Sequence, residues 1–315
     1  MSAEQVKIGI IGAGTIAPAH ISAFGNYPDR CKITAICDIV PELVKEKSEK
    51  FEISGYNDYK EMIEKESLDA VCIATPPATH KKIAIDVVSM GCNVICEKPL
   101  AMTVEEGQAI ADAVSKAGTL FMVAFCHRFE EAIEKIKASV STGQFGSITT
   151  YRNVFANAAG HRPTRGGNLM DNGSHATDIA RYIIGDPIKV LCAQFRPKKV
   201  DDLDKVIDFS ALLEGPNDEM IYLEAGGRHA GGRSIVEVCG EKTSALYDYV
   251  NAKKIKWNDG ENWNDIELPE GGSRFAKQAK HFLDCLQSNE KCIIDVFEAL
   301  KTLELLEQIS KAANK

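Results

Sequence analysis

The stretch Val6–Asp38 constrains the fold more than any other. It reads Val6-Lys7-Ile8-Gly9-Ile10-Ile11-Gly12-Ala13-Gly14-Thr15-Ile16-Ala17, then a run with helical periodicity, then Ile33-Thr34-Ala35-Ile36-Cys37-Asp38. An apolar, β-prone run leads into glycines, and a second apolar run ends on an acid. That order predicts strand, glycine turn, helix and strand, the unit that holds a dinucleotide at the edge of a parallel sheet. Gly12 allows the tight turn out of the strand. Gly14 lets a pyrophosphate approach the backbone, where a Cβ would collide with it. Ala17 takes the third small position. A helix starting near Thr15 aims free N–H groups and its positive end at phosphate, so Thr15 and Ile16 are expected contacts. Asp38 can accept hydrogen bonds from both ribose hydroxyls and would repel a 2′-phosphate. The expected cofactor is therefore NAD, with NADP disfavoured.

The same alternation continues to about residue 125. Helices are expected over Pro41–Phe51 and His80–Met90, and Thr103 with Glu106 reads as a capping box for a further helix. Ala70–Ala74 is an apolar strand that stops at Thr75-Pro76-Pro77. In a doubly wound sheet the loop after such a strand lies beside the cofactor, which brings in Thr75, Pro76 and His80. Asn93–Cys96 ends in Glu97-Lys98-Pro99, and Leu120–Phe125 is one more buried strand. A lysine at the carboxyl end of a parallel strand can point at substrate and polarise a hydroxyl or carbonyl. It can also be an ordinary solvated side chain; position alone leaves both readings open. Alternating strands and helices predict a mostly parallel sheet with helices on both faces.

Beyond residue 125 the pattern changes. Glu130–Val140 reads as a helix, Ser147–Ala156 as a strand, His161–Asn168 as a loop and Leu169–Ile184 as a helix. Then Lys189–Arg196, Val206–Leu213, Met220–Ala225, Ser234–Cys239, Ser244–Tyr249 and Lys253–Trp257 look like successive strands. Ser273–Gln287 and Val296–Ala313 close the chain as helices. This predicts an open, mostly antiparallel sheet covered by helices on one face. The expected division is 1–125, binding dinucleotide, and 126–315, binding substrate, with the C-terminal helices packing back. Along Leu169–Ile184, the residues Asp171, His175, Asp178 and Tyr182 would share one helical face. His175 can take a proton near neutrality. Asp171 can touch the imidazole or a substrate hydroxyl, and Asp178 can hold an arginine or cap a backbone group. Taken alone, this helix is equally readable as a core histidine held by carboxylates.

Composition narrows the partners. A net charge of −8 argues against nucleic acid or an anionic membrane surface. No apolar run approaches the roughly 18 residues of a membrane span. The 10 cysteines are scattered through apolar runs without a CxxC pair, as expected of reduced thiols in a cytoplasmic protein with no metal.

Together these stretches resemble the Gfo/Idh/MocA family of sugar and cyclitol dehydrogenases. The residues that carry the likeness are Gly12-Ala13-Gly14-Thr15-Ile16-Ala17 with His20, Ala74-Thr75-Pro76-Pro77 with His80, Glu97-Lys98-Pro99, His127-Arg128-Phe129, and Asp171-Asn172-Gly173-Ser174-His175-Ala176-Thr177-Asp178. The order of motifs is kept over nearly the whole chain. Cys126 stands where the family commonly has an asparagine. The resemblance implies an N-terminal Rossmann domain, a C-terminal α/β domain with a large sheet, and a homodimer or homotetramer built on that sheet's open face. It implies that Lys98, Asp171 and His175 surround the substrate, with Glu97 and Lys98 also beside the cofactor.

Asn153, Asn157, His161, Arg162 and Arg165 precede the helix, and Asn172 opens it; they are expected to line a sugar-like substrate. Arg228, His229 and Arg233 lie in or beside a glycine-rich segment that would reach over the pocket. These cations suit a carboxylate or phosphate on the substrate, although each is also readable as a solvated loop residue. Two other functions stay open at this point. One is an enzyme that keeps and recycles its NAD during elimination or epimerisation. The other is a non-catalytic, NAD-binding regulatory protein.

Overall fold

A computed structural model of the chain describes residues 5–158, 166–198, 200–251, 253–269, 271–288 and 290–315, with the backbone alone described at 228, 229 and 251. In chain order the first elements are β1 (Val6–Ile11), α1 (Ala17–Gly25), β2 (Cys31–Cys37), α2 (Pro41–Phe51), β3 (Ser54–Tyr56), α3 (Tyr59–Glu66), β4 (Ala70–Ile73), α4 (His80–Ser89), β5 (Asn93–Cys96), α5 (Val104–Ala117) and β6 (Phe121–Val123). Their strands form a sheet in the order β3-β2-β1-β4-β5-β6, and every neighbouring pair is parallel. The order reverses at β1 and β4, the switch point where such sheets bind ligands.

Local sequence explains these elements. β1, β4 and β5 are near-continuous apolar runs because both faces are covered; β4 is buried throughout. Asp58 caps α3 by accepting the N–H groups of Lys60 and Glu61. At α5, Thr103 accepts Glu106 N–H at 3.2 Å, and the Glu106 carboxylate accepts Met102 N–H, one residue earlier than a standard capping box.

The next elements are α6 (Glu131–Ser141), β7 (Ile148–Ala158), α7 (Gly167–Met170), α8 (Asn172–Ile184), β8 (Lys189–Arg196), β9 (Asp208–Glu214), β10 (Met220–His229), β11 (Arg233–Gly240), β12 (Ser244–Asp248), β13 (Lys254–Asn258), β14 (Trp263–Glu267), α9 (Arg274–Ser288) and α10 (Val296–Ala313). The second sheet runs β14-β13-β12-β11-β7-β10-β9-β8. Its pairs are antiparallel except β7–β10, which is parallel. Helix α8 packs across β7 and β10. Tyr151, Asn153 and Phe155 alternate on one face of β7 and are all buried.

The chain forms two compact units, 1–126 with 272–300, and 127–271 with 301–315. The segment 272–300, with α9, thus belongs to the first unit, whereas the sequence reading cut the chain once. Within that unit α9 packs on α1: Tyr27 Oη donates to Ala276 O at 3.0 Å, and Arg30 pairs with Asp284 at 2.8 Å. Among the described residues no helix is long and apolar enough to cross a membrane.

Two expectations are corrected. The helix expected over Leu169–Ile184 is broken into α7 and α8 at Asp171, whose φ and ψ are −83° and −88°. The expected loop up to Asn168 therefore already contains the first turn of α7. Strand β14 was not expected, because Trp-Asn-Asp-Ile-Glu lacks apolar alternation; it is a largely exposed edge strand.

Candidate functional site

In the first unit the glycine turn has the geometry its sequence implies. Gly12 sits at φ +105°, and a Cβ there would lie 2.5 Å from Ala74 O. Gly12 N–H donates to Cys37 O, and Ala74 N–H donates to Ile11 O, each at 2.7 Å. A Cβ on Gly14 would meet nothing within 4 Å, so the space before α1 is open to a ligand. Helix α1 starts without a capping side chain and without an acid in its first turn, which leaves its positive end for an anion. Thr15 is exposed and Ile16 half-buried at this opening. The residues present therefore fit a dinucleotide.

Asp38 is tied into the glycine turn. One carboxylate oxygen accepts Ala13 N–H at 2.7 Å and the other accepts Val40 N–H at 3.0 Å. These two bonds leave carboxylate lone pairs for ribose hydroxyls. Asp38→Ala removes the anchor of the glycine turn and the expected ribose acceptor together. NADH binding, followed by nicotinamide fluorescence, is expected to weaken at least severalfold; unchanged affinity would refute the role.

The loops after β4 and β5 are tied to each other. His80 is fully buried, with ring nitrogens 2.9 Å from Pro99 O and Thr75 O. It braces the two loops from below. Thr79 Oγ1 donates to Thr75 Oγ1 at 2.8 Å, and Pro76 is exposed. Glu97 accepts Lys98 N–H at 3.1 Å and pairs with His20 Nε2 at 2.7 Å. Lys98 itself is half-buried.

Sequence reasoning named His20 only within the family likeness and missed this pair. Burial alone would lower the His20 pKa, but Cys72 and Glu97 outweigh it and hold it well above the ordinary 6.5. Burial opposes ionisation of Glu97 as well, yet its bond to His20 holds its pKa below 4.5. The signs follow from linkage. The His20 contribution is complete below pH 6.5 and is lost as pH rises through its folded value. The Glu97 contribution is complete above pH 4.5 and is lost as pH falls. His20→Ala should therefore cost about 1–3 kcal/mol between those limits, as for a buried acceptor that loses its donor. In urea titrations its deficit against wild type should shrink as pH rises. A deficit independent of pH would exclude the ion pair.

In the second unit the residues gather around α8. His175 lies in its first turn, half-buried. Its ring meets His127 edge-on at 4.5 Å, with Phe155 at 6.2 Å. Phe155 and Tyr249 each lie near 5 Å from His127, at 5.1 and 5.2 Å. Asp171, 8% exposed, stands at the break before α8, four residues ahead of His175. Asn153 is fully buried and donates to Tyr151 Oη at 3.0 Å, while its Oδ1 finds no acceptor role among the described residues. Asn157 lies four residues further along the same face of β7, half-buried. Asn172 donates to Asn168 Oδ1 at 3.1 Å, and Arg233 is exposed at the start of β11. His161, Arg162 and Arg165 lie outside the described residues, as do the side chains of Arg228 and His229.

The expected four-residue polar face does not form as one stripe. Asp171 precedes the helix. Asp178 is 1% exposed and takes Arg128 in a bidentate pair at 2.6 and 2.8 Å. Tyr182 lies under the Arg128 guanidinium at 4.8 Å. Only the N-terminal end of α8 thus presents chemistry, and its C-terminal half is anchored in the core. Phe155 and Tyr249 had no signal in the sequence, since their partners are distant along the chain. His281, Cys285 and Cys292 also come together, although a search for CxxC spacing passes over them.

Residues 6–125 match the oxidoreductase family with an NAD-binding Rossmann fold, and residues 133–246 match the GFO/IDH/MocA C-terminal domain. The uncharacterised oxidoreductase YrbE of Bacillus subtilis is 30% identical over 258 residues, 78% of this chain and 74% of that protein. The NAD(+)-dependent scyllo-inositol 2-dehydrogenase of the same organism is 24% identical over 319 residues, 96% of this chain and 92% of that one. Levoglucosan dehydrogenase in complex with NADH has the same fold, with a TM-score of 0.90 at 21% identity over 98% of this chain and 97% of that chain. The glycine turn, its acid and the two matched domains agree, and the chain belongs to the GFO/IDH/MocA family of NAD-binding oxidoreductases.

Proposed function

We propose that this chain oxidises a secondary hydroxyl on a sugar, cyclitol, sugar acid or glycoside, with Lys98, Asp171 and His175 as its catalytic residues. NAD, when bound, supplies the acceptor for the carbinol hydride. His175 takes the hydroxyl proton through its imidazole. The Lys98 ammonium stabilises the negative charge that grows on the substrate oxygen as the carbonyl forms. Asp171 orients the hydroxyl and biases the imidazole. The observation that carries this reading is the placement of His175 and Asp171 at the start of α8, beside the His127–Phe155–Tyr249 ring cluster. An aromatic cluster with few placed polar groups suits the apolar face of a ring polyol.

Asn153, Asn157, Asn172 and Arg233 are the described candidates for substrate recognition. The orphaned Oδ1 of Asn153 supports the first of these, because a buried acceptor without a donor is costly unless a ligand supplies one. His161, Arg162 and Arg165 complete the proposed set. The relatives named for inositol and levoglucosan support a polyol substrate. We also assign the chain to the cytoplasm, where its reduced cysteines would persist, and to a homodimer or homotetramer. Leu191 and Tyr222, 40% and 42% exposed on strands of the second sheet, support a partner on that sheet.

The deciding experiment is a screen of sugars, inositols, sugar acids and glycosides with NAD and NADP, read at the reduced-nicotinamide absorbance band. Substrate-dependent reduction of NAD, with NADP much slower, is the expected result. No reduction with any ring polyol would overturn the reading.

A further inference from the structure

We propose that His281, Cys285 and Cys292 form a binding site for a thiophilic divalent cation, with Zn2+ as its natural occupant. His281 and Cys285 are one turn apart on α9, and Cys292 follows in the segment before α10. One donor atom from each lies within 4.8 Å of the others, and all three residues are less than a tenth exposed. His281 Nε2 is 3.6 Å from Cys285 Sγ. Around a tetrahedral zinc, bond lengths near 2.3 Å to sulfur and 2.0–2.1 Å to nitrogen place those donors about 3.6 Å apart. The corresponding sulfur–sulfur separation is about 3.8 Å, so Cys292 needs only a small adjustment.

The imidazole is already in the form a metal requires. Ile293 N–H donates to Nε2 at 3.1 Å, so that nitrogen is unprotonated, and its lone pair faces the backbone N–H beside Cys285 Sγ. The Nδ1 side faces the Glu290 carboxylate at 3.6 Å. A carboxylate on the outer nitrogen of a histidine is the common arrangement behind protein-bound zinc, where it fixes the tautomer and raises ligand basicity. A disulfide between the two cysteines would give no role to His281 or Glu290. Metal entry displaces the Ile293 N–H and releases the protons of two thiols. Water takes the fourth position.

The placement suggests a structural task. Val123 N–H donates to Ile294 O at 2.9 Å, and Met122 pairs with Asp295 in an antiparallel bridge. The segment that carries Cys292 is therefore stitched to β6, the edge of the parallel sheet. A bound cation would clamp α9 to that edge.

The test uses the full chain, reduced and stripped of metal, titrated with Co2+. One equivalent should give a thiolate-to-cobalt charge-transfer band that Zn2+ abolishes. Cys285→Ser and Cys292→Ser should each remove the band, and Cys239→Ser should keep it. Glu290 is exposed, so Glu290→Ala should fold; it should bind zinc about 10–100-fold more weakly, as for loss of an outer-sphere partner. The absence of the band in the reduced wild-type chain would overturn the proposal. So would a band that survives both serine substitutions, or zinc affinity that Glu290→Ala leaves unchanged.

Discussion

His175→Ala lowers turnover by about 10²-fold or more on the substrate that the polyol screen identifies. NADH affinity stays at the wild-type value, because the glycine turn and Asp38 belong to the other unit. The effect falls on kcat more than on KM, since proton removal is needed in the transition state and not for binding. The side chain sits in the first turn of α8, half-buried against His127 at 4.5 Å. Truncation there leaves a gap that water can enter, and water is a poor base at neutral pH. Full activity of the alanine variant would move the base elsewhere. His127 would then be the first residue to examine, since its ring shares the same cluster. Lys98→Met tests the companion assignment and should not add in full to His175→Ala if, as proposed, the two groups act on one oxygen.

Much of this fold was legible because its signals are local. The strand, the glycine turn, the helix and the terminal acid of Val6–Asp38 lie within one stretch, and each obeys a steric or electrostatic rule that short sequence can express. The same holds for the Thr103 cap and for the buried strands at 70–73 and 93–96. What escaped was set by distant partners. The early start of α7 rests on Gly167, at φ +63°, where a Cβ would lie 2.1 Å from Leu203 O. Nothing near residue 167 announces that close approach. The parallel pairing of β7 with β10 inside a mostly antiparallel sheet is equally non-local. The polar stripe on Leu169–Ile184 was read from spacing alone. Spacing cannot say that Arg128, fifty positions earlier, claims Asp178 and leaves only the start of the helix for chemistry. Nor does it show that His20 meets Glu97, 77 positions later.

Arg128→Ala should be the most damaging substitution for stability in the second unit. Arg128 and Asp178 are 2% and 1% exposed, and the guanidinium grips both carboxylate oxygens. Thr302 Oγ1 donates to the same carboxylate at 3.3 Å and accepts from Arg181 at 2.7 Å, so the pair sits inside a connected polar network. Removal of the arginine strands a buried carboxylate, at a cost of about 3–5 kcal/mol. For a unit of this size that corresponds to a fall in Tm of roughly 6–20 °C. Thermal and urea unfolding should agree on the loss, and a deficit below about 1 kcal/mol would show that water reaches the site. The double variant Arg128→Met with Asp178→Leu should regain most of the stability, because a well-packed apolar pair avoids the desolvation of both ions. It should not regain full turnover. Arg128 follows His127 directly, and Asp178 lies one turn beyond His175 on α8, so the ion pair fixes the two segments that carry the facing imidazoles. Stability recovered without turnover would show that the buried charges hold the geometry of the site, whereas recovery of both would reduce them to packing.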